Sequence, residues 1–553
     1  MTVTAANTRK LRGGYYTPPK VAQWLARWAI RAGTDRVLEP SCGDGAFVEA
    51  AAAELARRGT LWAEELPQLI GVELVPDEAE KARQRAERLL ASERVGIHEG
   101  DFFDWVNAAK PASFDAVVGN PPFIRYQNFP EPSRSQAMAY MESRGLRPNR
   151  LTNIWVPFVV AAVAMLREGG RLGMVIPAEL LQVTYAAQLR QHLADSFRRV
   201  TIYACNEMFF ESAEQEVVLL LAEDRLAGTD PTNKCDVSLV EAASVAELLA
   251  SSPRRAKRGE RPKVVQHDTE KWLKYFLDAA EIDFMRSLRE HAEIATLAAH
   301  GSIDVGVVTG NNEFFVLAQE QVDAYRLAEF VVPVVGRSSQ LAGAVLRGAE
   351  LRELAASGKP VYLLHLAQRI LSEFTAGLRR LIAAGEERGV HLGYKCSIRE
   401  PWYNVPAVWE PDCFFFRQIY DFPRIVVNKA GATSTDTIHR FRCSASAAKV
   451  AANLYTHLTA ASAEIEGRSY GGGVLELEPT EAERLLAPRV LNGAMPIEEA
   501  DKLVRAGRLA EVLEHNDRVV LQESLGLSKA DCAKLKRIWA KMRDRRMSRR
   551  RKT

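Results

Sequence analysis

A chain of 553 residues is too long for one hydrophobic core, so its length alone implies two to four domains. Hydrophobic residues make up 47% and charged residues 26%, an ordinary globular balance, and no apolar run approaches the ~20 residues that a bilayer span needs. The net charge of +3 is unevenly held: residues 534–553 carry eleven Lys or Arg against Asp544, a tail of +10 that leaves −7 on the remainder.

The N-terminal stretch "MTVTAANTRKLRGG" has no apolar h-region. The seven cysteines are scattered and never form a CxxC pair, so neither a metal site nor a disulfide framework is expected, and a reducing cytoplasm is. In "GGYYTPPKVAQWLARWAI" (13–30), prolines precede a stripe of Val21, Trp24, Leu25 and Trp28, which predicts an amphipathic helix. Short β-branched runs follow: "RVLEP" (36–40), "LIGVEL" (69–74), "GIHEGDFF" (96–103), "FDAVVGN" (114–120), "GRLGMVIP" (170–177), "RVTIYAC" (199–205) and "EVVLLLAE" (216–223). Between them lie helical patterns such as "GAFVEAAAAELARRG" and "NIWVPFVVAAVAMLREG". The alternation predicts an α/β domain with a doubly wound, mostly parallel, seven-stranded Rossmann-like sheet over residues 1–225.

Ligands of such sheets bind beyond the carboxyl ends of the strands, so each strand end matters. The first leads into "EPSCGDGAF", where Gly43 and Gly45 let a ligand approach the backbone. The second ends in Glu73, suited to ribose hydroxyls. The third runs into Asp101, an acceptor for an exocyclic amine, and Phe102, a cover for a purine face. The fourth stops at Asn120-Pro121-Pro122-Phe123, because neither proline can donate to a ladder. Four successive strand ends therefore offer contacts of the kind a nucleoside needs.

The order "GGYYTPP", "VLEPSCGDGAF", "GVEL", "GDFF", "NPPF" resembles the gamma class of S-adenosylmethionine-dependent DNA adenine-N6 methyltransferases, the TaqI-like enzymes of restriction–modification systems. The resemblance covers about residues 13–223. It implies a cofactor site built from Tyr16, Thr17, Glu39, Ser41, Gly43, Gly45, Glu73, Leu74, Asp101, Phe102 and Asn120, with the loop at Tyr16 and Thr17 closing over the methionine half. Asn120, Pro121, Pro122 and Phe123 would form the catalytic motif, and Phe209, with Phe210 as the alternate, a second platform for the target base. Phe123 departs from the commoner Tyr but keeps the ring.

The chemistry fits those residues. The amino nitrogen of adenine is a poor nucleophile, its lone pair being delocalised into the ring. Acceptors at the Asn120 side chain and the Pro121 carbonyl would hold both amino hydrogens and favour a pyramidal nitrogen. The target must leave the duplex stack, and Phe123 can hold it. Cytosine-N4 methylation uses the same geometry; RNA and protein-glutamine methyltransferases share the Asn-Pro-Pro-aromatic motif, and a silent DNA-binding subunit is a further alternative. The ~300 residues beyond the first domain favour DNA recognition.

"LAGTDPTNKCD" (226–236) reads as a linker to an α+β target-recognition domain over 236–485, followed by a helical segment, 486–553, with its basic tail. Within the recognition domain "VTGNNEFF", "GRSSQ", "KCSIREPWYNVP" and "NKAGATSTDTIHRF" present polar and aromatic tips of the kind that read base edges. The tail is too densely cationic for a packed face, which predicts an exposed element neutralised by DNA phosphates. Double-stranded DNA is the expected partner. A cognate endonuclease is expected as a separate protein, because the cofactor motifs begin almost at the N-terminus. Neither metal nor membrane enters this reading.

Overall fold

A computed structural model describes residues 17–548 except 60–61, 63–65, 206–216, 243, 252–270, 367–368, 370 and 471–472. The chain divides after Ile282 into two compact units, Met1–Ile282 and Asp283–Arg550. Among the described residues no helix is long and apolar enough to cross a membrane.

The first unit is built on strands β1 (Val37–Glu39), β2 (Leu69–Glu73), β3 (Val95–Glu99), β4 (Phe114–Gly119), β5 (Leu166–Pro177), β6 (Phe197–Cys205), β7 (Val217–Arg225) and β8 (Asp236–Ala242). Their order in the sheet is β3-β2-β1-β4-β5-β7-β6-β8. Only β7 runs against the others, pairing antiparallel with both β5 and β6. The chain order reverses direction between β1 and β4, which pair in parallel from Val37 opposite Ala116. A crevice opens at the carboxyl ends of two such strands because their connections leave to opposite sides.

The expected seven strands are eight. β8 pairs in parallel with β6 from Arg199 opposite Asp236 through Cys205 opposite Ala242, so the segment expected to open a second domain completes the first sheet. The stretch read as a linker is pinned to the start of β6. Asn233 donates its amide to the carbonyls of Ala194 and Phe197, each at 2.7 Å, and the Asp230 N–H donates to the Asp195 carbonyl at 2.8 Å. The turn residues were legible, but their anchorage depends on long-range bonds.

Helix α1 (Pro19–Ala29) forms as its stripe predicts, with proline in its first turn and Val21, Trp24 and Leu25 buried. Trp24 meets Tyr203 of β6 edge-on at 5.2 Å. Helices α2 (Ala46–Arg58) and α3 (Pro76–Glu87) follow β1 and β2. After β3 the chain turns directly into α4 (Phe102–Ala108), where the sequence suggested continued strand.

The second unit holds a five-stranded mixed sheet, ordered Gly301–Asp304, Ile438–Cys443, Cys413–Phe416, Ile425–Lys429, Val345–Arg347, and a four-stranded sheet beside smaller ones. It closes with a 19-residue helix, Lys529–Met547, opened by a Ser528–Asp531 capping box. This helix corrects the expectation of an unpacked basic tail. Leu535, Ile538, Trp539, Met542, Arg545 and Arg546 are buried on it. Its cations find partners distant in sequence: Lys534 lies over the Phe284 ring at 4.6 Å, Lys536 pairs with Glu514 at 3.1 Å, and Arg543 pairs with Asp421 at 3.0 Å. Charge density along the chain does not report acids that the fold brings alongside.

Candidate active site at the ends of β1, β2 and β4

Glu39 closes β1 and is 1% exposed. Neither of its carboxylate oxygens has a partner in hydrogen-bond geometry. Burial pushes this carboxyl well above the usual range, against the pull of the Ser41 and Asn120 backbone N–H groups and with the help of the negative Glu73. Gly119, the last residue of β4, makes room for it: a Cβ there would stand 2.4 Å from Glu39 Oε1. That glycine was not singled out in the sequence, although its place just before Asn-Pro-Pro was a usable signal.

The turn after β1 is held by β2. Glu73 Oε2 accepts from the Gly43 N–H at 2.8 Å, and Oε1 accepts from the Val75 N–H at 2.9 Å. Desolvation raises the Glu73 carboxyl, opposed by those two N–H groups. Gly43 lies at φ +51°, and a Cβ on it would point into open space. Gly45 is needed for another reason, since a Cβ on it would meet Ala82 of α3 at 2.6 Å. Leu74, directly after β2, is 60% exposed, an unusual position for a leucine beside a crevice.

Asn120 follows β4, and its backbone carbonyl accepts from Ser41 Oγ at 3.3 Å, tying the motif to the turn after β1. Pro121 is buried and Pro122 half-buried. Phe123 is half-buried against the core on one side. The chain beyond is fixed by the Ile154 N–H on the Ile124 carbonyl at 3.0 Å. Thr17 is buried at the entry to α1. Tyr16, Phe209 and Phe210 lie outside the described residues.

The structure thus brings Glu39, Ser41, Gly43, Glu73 and Asn120 together through direct contacts. Asp101 and Phe102 are otherwise engaged. Asp101 caps α4, its Oδ1 accepting from the Phe103 N–H at 2.7 Å and the Asp104 N–H at 3.3 Å. Phe102 is buried and stacked on Phe158, with ring centroids 4.9 Å apart at 17°. Its ring belongs to an aromatic cluster.

Two desolvated acids at the ends of adjoining strands suit a ligand that carries positive charge. An open glycine flank and an exposed leucine suit one with a flat apolar part. S-adenosylmethionine has both features, and the residues present fit it. When bound, it supplies a methyl group already activated on a positively charged sulfur. We expect Glu73→Ala to weaken its binding by ~1–3 kcal/mol, through lost charge and through release of the Gly43 turn. Calorimetric titration checks this, and an unchanged affinity would remove Glu73 from the site.

Comparison with known proteins agrees with this architecture. Residues 45–210 match the family described as Eco57I restriction-modification methylase, and residues 269–521 match that described as Type II methyltransferase M.Eco57I, C-terminal domain. The Type II methyltransferase M.AccI of Acinetobacter calcoaceticus is 22% identical over 490 residues, covering 86% of this chain and 84% of that protein. A tRNA1(Val) (adenine(37)-N6)-methyltransferase of Yersinia pestis (strain Pestoides F) is 32% identical over 130 residues, covering 21% of this chain and 48% of that protein. In fold, the chain is similar to the Type IIL restriction-modification enzyme MmeI solved in complex with DNA, with a TM-score of 0.53 and 12% identity, covering 94% of this chain and 73% of that one. The chain thus carries an Eco57I-type restriction-modification methylase domain at 45–210 and the matching Type II methyltransferase C-terminal domain at 269–521, and along most of its length it is similar to Type II methyltransferases.

Proposed function

We propose that the protein methylates the N6 amine of adenine within one specific double-stranded DNA sequence, acting on a base rotated out of the duplex. The carrying observation is Asn120-Pro121-Pro122-Phe123 at the end of β4, where β4 adjoins β1 and Ser41 holds the Asn120 carbonyl. Adenine rather than cytosine is favoured by the order of the motifs and by the relative whose name specifies adenine-N6.

In this reading the Asn120 side-chain oxygen and the Pro121 carbonyl accept the two amino hydrogens and turn the nitrogen lone pair outward. No ionised base is needed, because the nitrogen becomes acidic only as the new bond forms, and its proton then passes to solvent. Phe123 holds the extruded ring by its face. Glu73 and Leu74 hold the nucleoside of the cofactor, and Gly43 lets it approach the backbone. Glu39, buried at the end of β1, would supply negative charge to the cationic part of the cofactor. The second unit, Asp283–Arg550, serves as the target-recognition domain. The modified site protects DNA from a separate cognate endonuclease in the bacterial cytoplasm.

Sequencing of modified bases in DNA from cells expressing the protein tests base and site together. N6-methyladenine at one recurring sequence is expected, whereas N4-methylcytosine or unmodified DNA would overturn the assignment. Phe123→Ala is expected to cut turnover by about tenfold or more, the ~1–3 kcal/mol of one stacked base. Phe123→Tyr is expected to keep turnover, and a Tyr variant as slow as Ala would show that the ring face is not what acts.

A further inference from the structure

Four segments with reading-type side chains are scattered between residues 308 and 441, and the second unit folds them onto one another. Val307 bridges Thr435 in parallel, its N–H donating to the Ser434 carbonyl at 2.7 Å and its carbonyl accepting from the Asp436 N–H at 3.1 Å. Gly306 permits this approach, since a Cβ there would stand 1.9 Å from the Thr435 carbonyl oxygen. Thr435 and Thr437 both donate their hydroxyls to the Gly336 carbonyl, at 3.0 and 2.9 Å. Arg399 donates to the Thr309 carbonyl at 2.7 Å and to the Val308 carbonyl at 2.5 Å. Lys395 is drawn to the same place: a Cβ on Gly310 would lie 2.8 Å from its own Cβ.

The bonds also separate residues that build this cluster from those left facing outward. Gln340 spends its oxygen on the N–H groups of Gly336 and Arg337. Asn428 spends its amide on the carbonyls of Pro411 and Ala432. Arg337, Lys395 and Thr437 are exposed. So are three large apolar side chains, Leu392 at 73%, Tyr394 at 74% and Ile398 at 63%, within seven residues of one another. Such a group is costly in water unless a partner covers it. The four segments hold five Lys or Arg against Glu313, Glu400 and Asp436; Glu313 is paired with Arg388 at 2.8 Å, Lys429 with Glu498 at 2.5 Å, and Arg440 is buried. That leaves Arg337, Lys395 and Arg399 against Glu400 and Asp436, and these cations beside exposed apolar groups suit a partner that is an anion with apolar faces.

The geometry points to this cluster as the duplex-contacting surface of the second unit: Arg337 and Lys395 engage phosphates or base edges, and Tyr394 and Ile398 press on sugars or bases. The inference rests on the DNA-methylating reading above and assigns its recognition step to named residues. Backbone contacts by the cations set position, while apolar side chains that enter a groove sense base-step shape.

The test uses the full chain and three double variants: Arg337→Ala/Lys395→Ala, Tyr394→Ala/Ile398→Ala, and a control, Lys449→Ala/Lys529→Ala, at exposed lysines of the same unit. Fluorescence anisotropy reads binding to a duplex bearing the modified site, and calorimetry reads S-adenosylmethionine affinity. Both cluster variants are expected to bind the duplex about tenfold or more weakly, while cofactor affinity and the control stay at wild-type values. The cation variant is expected to flatten the slope of log affinity against log salt by about 0.9 for each phosphate it no longer neutralises, and the apolar variant to leave it unchanged. Wild-type duplex affinity in either cluster variant would overturn the surface while leaving the function intact. A wild-type protein that binds cofactor but no duplex would instead overturn the function and the surface with it.

Discussion

Asn120→Ala is expected to lower methyl transfer by about 10²–10³-fold while cofactor affinity stays near wild type. The side chain stands at the end of β4, and the Asn120 backbone, held by Ser41 Oγ at 3.3 Å, places it. Removing one preorganised polar group aimed at a reacting atom costs ~2–4 kcal/mol of barrier. The loss should fall on kcat rather than on cofactor binding, because the group acts on the target amine. Single-turnover methylation separates the two, with calorimetry reporting the cofactor. Wild-type turnover in this variant would remove Asn120 from the chemistry. Equal loss of turnover and of cofactor affinity would mean that Asn120 chiefly shapes the cofactor site.

Arg546→Ala is expected to destabilise the second unit by ~3–5 kcal/mol, the cost of leaving a buried charge without its partner. Arg546 is 2% exposed and donates to both oxygens of Glu464, at 2.6 and 3.1 Å, to the Tyr420 carbonyl at 3.0 Å, and to the Gly473 carbonyl. The terminal helix is thereby tied to two distant segments. Replacing both partners, Arg546→Met with Glu464→Met, should recover much of the loss, since an apolar pair needs no desolvated charge. Denaturant unfolding checks both variants, and wild-type stability in Arg546→Ala would contradict the packing of this helix. Removing residues 541–553 would therefore impair folding before it could report on DNA binding.

The motifs at the strand ends were legible because the signals that carry them are local. A Val-rich run halted by Asn-Pro-Pro is a strand end whatever surrounds it, and Gly-x-Gly before an apolar helix is a turn into that helix. Strands β1 to β7 followed from the same reasoning, with boundaries off by a few residues. Asp101 was harder. An acid before two phenylalanines suits either a ligand contact or a helix cap, and the cap at the Phe103 N–H becomes visible only once α4 starts at Phe102.

Sequence alone determined the alternation of strands and helices and which residues stand at the ends of β1, β2 and β4. Tertiary structure decided which of those residues meet, because meeting depends on bonds between segments far apart in the chain. It made Glu73 the clamp of the Gly43 turn, added β8 to the sheet, and buried Arg546 on Glu464. It also gathered Val308, Gly336, Lys395 and Thr437 into one cluster. Periodicity reports which face of an element is apolar; the partner of a buried charge or a strand edge is set by which distant group can satisfy it once water is excluded.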